Sequence, residues 1–331
     1  MYSLTVIATT GERFGEFAPY VASINGAGVV AFQATLRVGG SGIFAGDDGE
    51  VEELVTRSLH AGVTSHPDLN DARDTTFYGE LPRGGQAAFL FRNGRLQMVA
   101  DTHGDFASIG PFGPTINGAG TVAFRADPAD GVSGIFSCDG AAITTVADTS
   151  GRWSRFHGLP VITGDGTVVF RADCRDGVQG IYANLGGSMR AVAQTGERFA
   201  SLSLFPSASE GGLIAFAATL RGGAQGVFTD DDGQIACVAE TGEAFESYRG
   251  ALITSAGSVV TIATPRGGSL GLFGGPDPTL DRILALGDAL LGSTVEDVAA
   301  NPVSVNAFGQ VAIRGSLADG RQAILRADPA R

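Results

Sequence analysis

Short apolar segments separated by glycine-rich turns recur along the whole chain. The segments are rich in valine, isoleucine and phenylalanine and have the length of strands, about four to eight residues, rather than of helices. The clearest reads Ile-Asn-Gly-Ala-Gly-Thr-Val-Ala-Phe at 116–124, and a near copy lies at 24–32. A third copy, at 162–170, ends in Thr-Val-Val-Phe. The pattern therefore predicts a β-protein built from a repeated unit.

Each unit contains four predicted strands, which we name a to d. Strand a ends at the Asn-Gly turn, strand b carries Val-Ala-Phe, strand c carries Gly-Ile-Phe or a close relative, and strand d ends in Val-Ala. Asn-Gly at 25–26 and Asp-Gly at 139–140 are hairpin signals, because these residues tolerate positive φ. We use the last residue of the strand b phrase as the reference position, or anchor, of each unit. The seven anchors are Phe32, Phe77, Phe124, Phe170, Phe216, Ile262 and Ile313.

The spacing of these anchors predicts the architecture. Successive anchors lie about 46 residues apart, and four-stranded units of that length are blades of a β-propeller. The chain ends after a strand c at 323–325, and the segment 4–8 matches the missing strand d. We therefore predict an all-β fold, a seven-bladed β-propeller with four antiparallel strands per blade. Residues 1–331 form one domain, and residues 1–14 complete the last blade.

The repeat resembles a bacterial family of tandem-repeat proteins that is named for an Asn-x-x-Gly-x-Val-Ala-Phe phrase. The resemblance covers the whole chain and is most specific at 25–32 and 117–124, whereas the segment 70–77 has lost the glycine. It implies the fold and brings no catalytic residues with it. Members of that family commonly look like exported proteins with a C-terminal surface anchor. This sequence shows neither a leader pattern nor an anchor segment, so we expect a cytoplasmic protein.

Composition narrows the range of partners and chemistries. The net charge is −13, and the 22 basic residues are all arginine, scattered along the chain. Such a surface repels phosphate backbones, so we expect neither nucleic acid nor a membrane as a partner. The absence of lysine excludes Schiff-base chemistry and a Walker-type phosphate loop. Three widely spaced cysteines argue against a disulfide framework and favour a reducing compartment.

The candidate catalytic residues gather on one face of the predicted propeller. We define the upper face as the one that carries the b–c loops and the long d–a connections, where rigid scaffolds usually place function. All four histidines fall in these connections. We predict that His66 and His157 act as general acid and base, with Tyr20 as a further catalytic residue and Arg249 binding an anionic group. The alternative is that the histidines are solvated or cap loops.

Other upper-face residues are candidates for ligand binding. They enter strand a beside the central channel or lie on upper loops, and they are His60, His103, Phe112, Trp153, Arg155, Phe205 and Asn301. Aromatic walls with a few polar anchors are typical of a small-molecule pocket. Arg125, Arg171 and Arg314 recur directly after the strand-b anchor, and this recurrence favours a structural role in which they pair with Asp127, Asp173 or a neighbouring blade.

No cofactor is expected, because the sequence lacks a close-spaced pair of histidines with metal-ligand spacing. Two lesser alternatives stay open. A metal ion could be held by two or three imidazoles with Asp68 or Glu16, and calcium could bind the Asp-containing b–c loops.

Two functions from different classes are compatible with these features. The first is a monomeric propeller that binds a small molecule in its central funnel, as a metal-independent lyase, isomerase, cyclase or hydrolase that uses acid–base chemistry. The second is a non-catalytic scaffold that binds a protein or glycan on its upper rim. An enzyme needs a deep pocket at the channel mouth, whereas a scaffold needs a flat rim with exposed aromatic residues.

Overall fold

A computed structural model describes residues 2–55 and 62–330 of the chain. The described residues form seven antiparallel sheets of four or five strands, and each sheet is one blade. The predicted seven-bladed β-propeller is therefore confirmed. No helix in the part of the chain that the structure describes is long and apolar enough to cross a membrane.

The first strand, β1 (Tyr2–Thr9), belongs to the last blade. The first blade contains β2 (Phe14–Glu16), β3 (Ser23–Ile24), β4 (Val30–Leu36), β5 (Ser41–Gly46) and β6 (Glu52–Val55). The second contains β7 (Gly62–Val63), β8 (Asp68–Leu69), β9 (Thr75–Glu80), β10 (Gln86–Arg92) and β11 (Arg95–Asp101). The third contains β12 (Phe106–Ile109), β13 (Thr115–Ile116), β14 (Val122–Pro128), β15 (Gly134–Cys138) and β16 (Ile143–Asp148).

The remaining blades follow the same order from the channel outward. The fourth contains β17 (Trp153–Ile162), β18 (Val168–Cys174), β19 (Gln179–Leu185) and β20 (Ser188–Gln194). The fifth contains β21 (Phe199–Leu202), β22 (Ser207–Ala208), β23 (Ile214–Leu220), β24 (Gln225–Asp231) and β25 (Gln234–Glu240). The sixth contains β26 (Phe245–Ile253), β27 (Val259–Pro265), β28 (Gly271–Phe273) and β29 (Arg282–Ala285). The seventh contains β30 (Ala289–Leu290), β31 (Ser293–Ala299), a 3-10 turn at Pro302–Ser304, β32 (Val311–Leu317) and β33 (Gln322–Pro329).

The two ends of the chain close the ring within the seventh blade. Strand β1 pairs antiparallel with β33, with Tyr2 opposite Pro329 and Thr9 opposite Ala323. The N-terminal strand thus supplies the outermost strand of the last blade, as predicted from the sequence. The strand thus ties the N-terminal end of the chain, which continues into the first blade, to the C-terminal end in the seventh. From Phe14 onward the chain belongs to the first blade, because β2 pairs with β4.

The innermost strand is interrupted in four blades. In the third blade, β12 and β13 both pair with β14, and the residues between them leave the ladder. Each interrupted strand carries a proline in its gap, at Pro19, Pro67, Pro111 and Pro206. Proline has no backbone N–H to donate to the ladder, which explains why pairing stops there. These gaps place loop residues beside the channel, at the positions where the site is found.

Aromatic rings from strands b and c form the core of most blades. The anchor residues are at most 1% exposed, except Ile262, which is partly buried. In the third blade the rings of Phe124 and Phe136 are stacked with centroids 5.7 Å apart. Gly134 makes room for this stack, because a Cβ there would lie 2.6 Å from the Phe136 ring. Packing thus explains the glycine in the recurring Gly-Ile-Phe phrase.

The asparagine of the repeat holds neighbouring blades together at the lower face. Its Oδ1 accepts the N–H of the residue four positions on, as Asn117 does from Thr121, 2.9 Å away. Its Nδ2 donates to a backbone carbonyl of the next blade, as Asn70 does to Asn117 at 3.1 Å and Asn117 to Thr163 at 2.9 Å. Asn306 in the last blade donates in the same way to Asn25 in the first, at 2.9 Å. The repeated asparagine is therefore a structural residue.

Candidate functional site

A cavity of about 1190 Å³ opens at the upper end of the central channel. All seven blades contribute to its wall, mainly through the interrupted inner strands and the ends of strands b. Seven of the residues singled out from the sequence line it: Tyr20, His66, Phe112, Arg155, Phe205, Arg249 and Asn301. The volume is slightly larger than that of most small-molecule sites, about 300 to 1000 Å³.

Three other candidates lie outside the cavity wall. The His157 Nε2 is 2.8 Å from Asp173 Oδ2, and the same carboxylate accepts a hydrogen bond from Arg171 Nη1 at 2.6 Å. Trp153 is buried in its blade, with its ring 4.3 Å from that of Tyr182. His103 is exposed in the turn between β11 and β12. The fourth, His60, lies outside the described residues.

His66 lines the cavity, and one nitrogen of its imidazole is buried without a partner. Its Nδ1 lies 3.2 Å from the carbonyl oxygen of Pro67, which can only accept, so Nδ1 carries the proton. The Nε2 is therefore the lone-pair nitrogen, and it is buried without a hydrogen-bond partner in the described structure. Burial lowers the pKa of His66 to about 4. The imidazole is consequently neutral at pH 7 and can accept a proton but has none to give from Nε2.

The segment that carries Phe112 lies directly over this imidazole. A Cβ at Gly113 would stand 2.6 Å from His66 Nε2, so only glycine permits the approach. Phe112 itself has φ +77°, an uncommon conformation for a bulky residue. The burial of His66 thus depends on a loop from the neighbouring blade.

Three arginines give the cavity a positive charge. They are Arg125, Arg155 and Arg249, and the wall contains one carboxylate, Asp127, which accepts a hydrogen bond from Ser108 Oγ at 2.7 Å. None of the ion pairs within the described residues involves these three arginines. A cavity with a surplus of guanidinium groups attracts anions, although the protein as a whole carries −13.

Arg125 is the member of this group whose place in the cavity the sequence did not indicate. The predicted pairing with Asp173 is found for Arg171, whereas Arg314 contacts Asp297 of its own blade, 3.1 Å away. Arg125 contacts a neighbouring blade, because its Nη1 donates to the carbonyl oxygen of Gly158, 3.2 Å away. The pKa of Arg125 is lowered, mainly because the guanidinium is buried. The only signal in the sequence was its recurrence, which pointed to structure.

Two tyrosines and a pair of phenylalanines in contact with each other also line the cavity. Partial burial raises the pKa of Tyr20, and the nearby charge of Glu80 raises it further. The hydroxyl of Tyr78 is buried and accepts a hydrogen bond from the backbone N–H of Arg125 at 3.1 Å. Phe112 and Phe205 meet edge to face, with centroids 5.1 Å apart and planes at 87°. The site thus combines cations, a neutral imidazole, a phenol and an aromatic pair.

Comparisons with known proteins identify the fold. No model of a known protein family matches the sequence, and no curated protein matches it. An oligogalacturonate lyase in complex with manganese has a TM-score of 0.64 and 11% identity, covering 100% of this chain and 98% of that chain. The oligogalacturonate lyase of Vibrio parahaemolyticus has a TM-score of 0.58 and 9% identity, with 100% and 99% covered. A puromycin-hydrolyzing peptidase of Mycobacterium tuberculosis has a TM-score of 0.58 and 13% identity, over 94% of this chain and 52% of that chain.

The prediction that no cofactor takes part is contradicted by the first of these structures. That propeller, which aligns with this chain over 98% of its own length, is in complex with manganese, so the expectation of no cofactor is withdrawn. Among residues 2–55 and 62–330, however, no three His, Cys, Asp or Glu side chains lie together as ligands. The charged groups around the upper cavity are mainly arginines, which repel cations. The described residues therefore do not fit a metal site. At 9–13% identity these comparisons show a β-propeller fold, and the repeat family resembled by the sequence is not confirmed.

Proposed function

We propose that the upper cavity binds an organic anion. The observation that carries this proposal is the charge of the cavity wall. The wall contains three guanidinium groups and one carboxylate, although the protein as a whole is acidic. Guanidinium groups bind carboxylates and phosphates through paired, charge-assisted hydrogen bonds. A cavity of about 1190 Å³ lined by all seven blades favours a small molecule over a partner protein that would sit on the rim.

The fold neighbours add support to an anionic ligand. Two of them are named for oligogalacturonate, a chain of sugars that each bear a carboxylate. The cavity of about 1190 Å³ has room for more than one such unit. Short galacturonate oligomers are therefore reasonable probes, together with carboxylates of other shapes.

Removal of one cavity arginine is expected to weaken anion binding. Arg249→Ala and Arg155→Ala each delete one exposed cation, and we expect the Kd of a bound anion to rise about tenfold, since a charge-assisted contact contributes about 1.5 kcal/mol. Isothermal titration calorimetry with 2-naphthoate and trigalacturonate measures this change. Arg95→Ala is the matched control, because it alters the net charge equally from the β10–β11 turn, away from the cavity. Equal effects of all three substitutions would overturn the proposal.

A second candidate function is acid–base catalysis on the bound anion. The observation that favours it is the buried, unpartnered Nε2 of His66 at the cavity wall. We propose that, when the Gly113 segment moves off the imidazole, this nitrogen takes a proton from a carbon next to the substrate's carboxylate, while the arginines stabilise the charge that develops there. The Tyr20 hydroxyl would donate the proton that a departing oxygen needs. Breaking the C–H and C–O bonds leaves a new C=C bond, which is the result of a lyase reaction.

His66→Gln is expected to abolish turnover and to leave binding nearly unchanged. Loss of a general base lowers the rate by about 10² to 10⁴, whereas affinity for trigalacturonate should stay within about threefold. Because burial lowers the pKa of His66 to about 4, the base is unprotonated throughout the neutral range. The activity of the natural protein should therefore be lost only as the pH falls through about 4, without an inflection near 6.5. Ultraviolet absorbance of the new C=C bond follows the reaction, and His103→Gln, on an exposed turn, is the control.

A lack of turnover by the natural protein, or full turnover by His66→Gln, would rule out this catalytic role. The anion-binding proposal would survive either result, because it depends on the arginines.

A further inference from the structure

Two phenylalanines of the cavity wall, Phe112 and Phe205, come from blades that are not neighbours. Phe112 lies in the gap of the third blade's inner strand and Phe205 in that of the fifth, yet their rings are 5.1 Å apart. The pair therefore spans the inner end of the fourth blade. An aromatic contact of this kind stabilises by about 0.5 to 1.5 kcal/mol beyond its buried area.

Phe112 is held in a conformation and an environment that disfavour phenylalanine. Its φ of +77° costs about 1 to 3 kcal/mol for a residue with a bulky side chain, and its side chain stays 42% exposed inside a cavity. Glycine or asparagine would suit this backbone better. The Phe112 ring gains little from folding alone, which points to a ligand that covers it.

The aromatic pair and the arginines share one side of the cavity. Gly158 connects them, because its carbonyl oxygen accepts from Arg125 Nη1 at 3.2 Å, and a Cβ at this glycine would lie 3.2 Å from the Phe205 ring. Arg155, in the same fourth blade, is close enough to Arg125 to affect its pKa. A ligand bound to these cations thus meets the two rings within the length of a small molecule.

We infer that the anion has a flat apolar body, as an aromatic carboxylate has, and that this body packs on Phe112 and Phe205 while its charge contacts Arg125 and Arg155. This inference rests on the proposed anion binding and names the class of ligand within it. Further apolar side chains continue the wall on the side of the sixth blade, among them Leu252 and Ile262. A strongly hydrated sugar acid would leave these surfaces without an apolar partner.

Three probes that separate charge from apolar shape test the inference by calorimetry. They are 2-naphthoate, galacturonate of equal charge, and uncharged 2-naphthalenemethanol. We expect 2-naphthoate to bind at least tenfold more tightly than either of the others, with a negative heat-capacity change that marks apolar burial.

The variants Phe112→Asn and Phe205→Ala show whether the rings are responsible. Each should weaken 2-naphthoate binding about tenfold and leave galacturonate binding unchanged. Asparagine tolerates the positive φ at position 112, so a loss of binding there does not arise from unfolding. Phe308→Asn is the control, since Phe308 is 70% exposed in the turn before β32, at the lower face.

The outcomes separate the two proposals. If galacturonate binds as tightly as 2-naphthoate, or if the phenylalanine variants weaken both equally, the inference is overturned and anion binding stands. If the uncharged alcohol binds as tightly as 2-naphthoate, anion binding itself is wrong. If none of the three probes binds to the natural protein, both the anion-binding proposal and the inference of a flat apolar body are wrong.

Discussion

Asp68→Asn is expected to raise the free energy of unfolding at pH 7 by about 2 to 4 kcal/mol. Asp68 lies in a pocket of about 250 Å³ at the lower end of the channel, where burial raises the pKa of its carboxyl to about 8. The negative charge of Glu210 raises this pKa further, whereas the N–H groups of Ile116 and Leu69 act in the opposite direction. The Oδ2 accepts from Ile116 in the next blade at 2.9 Å, a bond that the amide oxygen of asparagine can also accept.

The sign of the effect follows from the two protonation states. An unfolded Asp68 releases its proton near pH 3.8, whereas the folded protein keeps it until about pH 8. Between these values the unfolded state binds fewer protons, so the stability of the natural protein falls as the pH rises, by up to about 1.4 kcal/mol per pH unit. Asparagine does not titrate. The difference in the free energy of unfolding between Asp68→Asn and the natural protein should therefore grow between pH 5 and pH 7.

Urea unfolding at pH 5, 7 and 8 measures this difference. Asp71→Asn is the control, because Asp71 lines the same pocket but is exposed, and its substitution should change the stability by less than about 0.5 kcal/mol. A destabilised Asp68→Asn variant, or one whose advantage does not depend on pH, would show that the carboxyl is ionised in the folded protein.

Gly158→Ala is expected to destabilise the protein by about 2 to 5 kcal/mol. Gly158 has φ +61°, which alanine adopts at a cost of about 1 to 2 kcal/mol. A Cβ there would also lie 2.1 Å from the carbonyl oxygen of Leu204, so the backbone of the fifth blade must move away. Overpacking of this kind costs about 1 to 3 kcal/mol more. The movement would also displace Phe205, so binding of 2-naphthoate should weaken in the fraction that stays folded.

The matched control for this substitution lies in the same blade. Gly166 has φ +89° and no atom within 4 Å of the position a Cβ would take. Gly166→Ala should therefore lose only the backbone contribution, about 1 to 2 kcal/mol, and should bind 2-naphthoate normally. Chemical denaturation measures both variants, and equal losses would show that the contact with Leu204 relaxes without cost.

The repeat pattern carried most of the information about the fold. The anchors Phe32 to Ile313 are the centres of seven blades, and the segment that begins at Tyr2 closes the ring, as the matching phrases indicated. These features depend on local chemistry, namely strand propensity, the positive φ of turn glycines and a repeated length.

The composition of the site was harder to predict, as His66 and His157 illustrate. Both enter an inner strand at equivalent positions of the repeat, but His66 lines the cavity while His157 is engaged by Asp173. The difference arises from residues far away in sequence: Gly113 covers His66 from the next blade, and Asp173 lies on the neighbouring strand. A single sequence does not show which partner each imidazole meets.

Sequence alone determined the number of blades, the order of the strands and the face on which the long connections lie, because each blade repeats the same local pattern of strands and turns. Only the tertiary structure decided that Arg125 lines the cavity and contacts Gly158 of the next blade, and that Phe112 meets Phe205 across a blade. Those contacts join residues in different blades, often more than 30 positions apart, and they depend on how the blades pack around the channel. The fold follows from what the repeats share, whereas the site follows from where they differ.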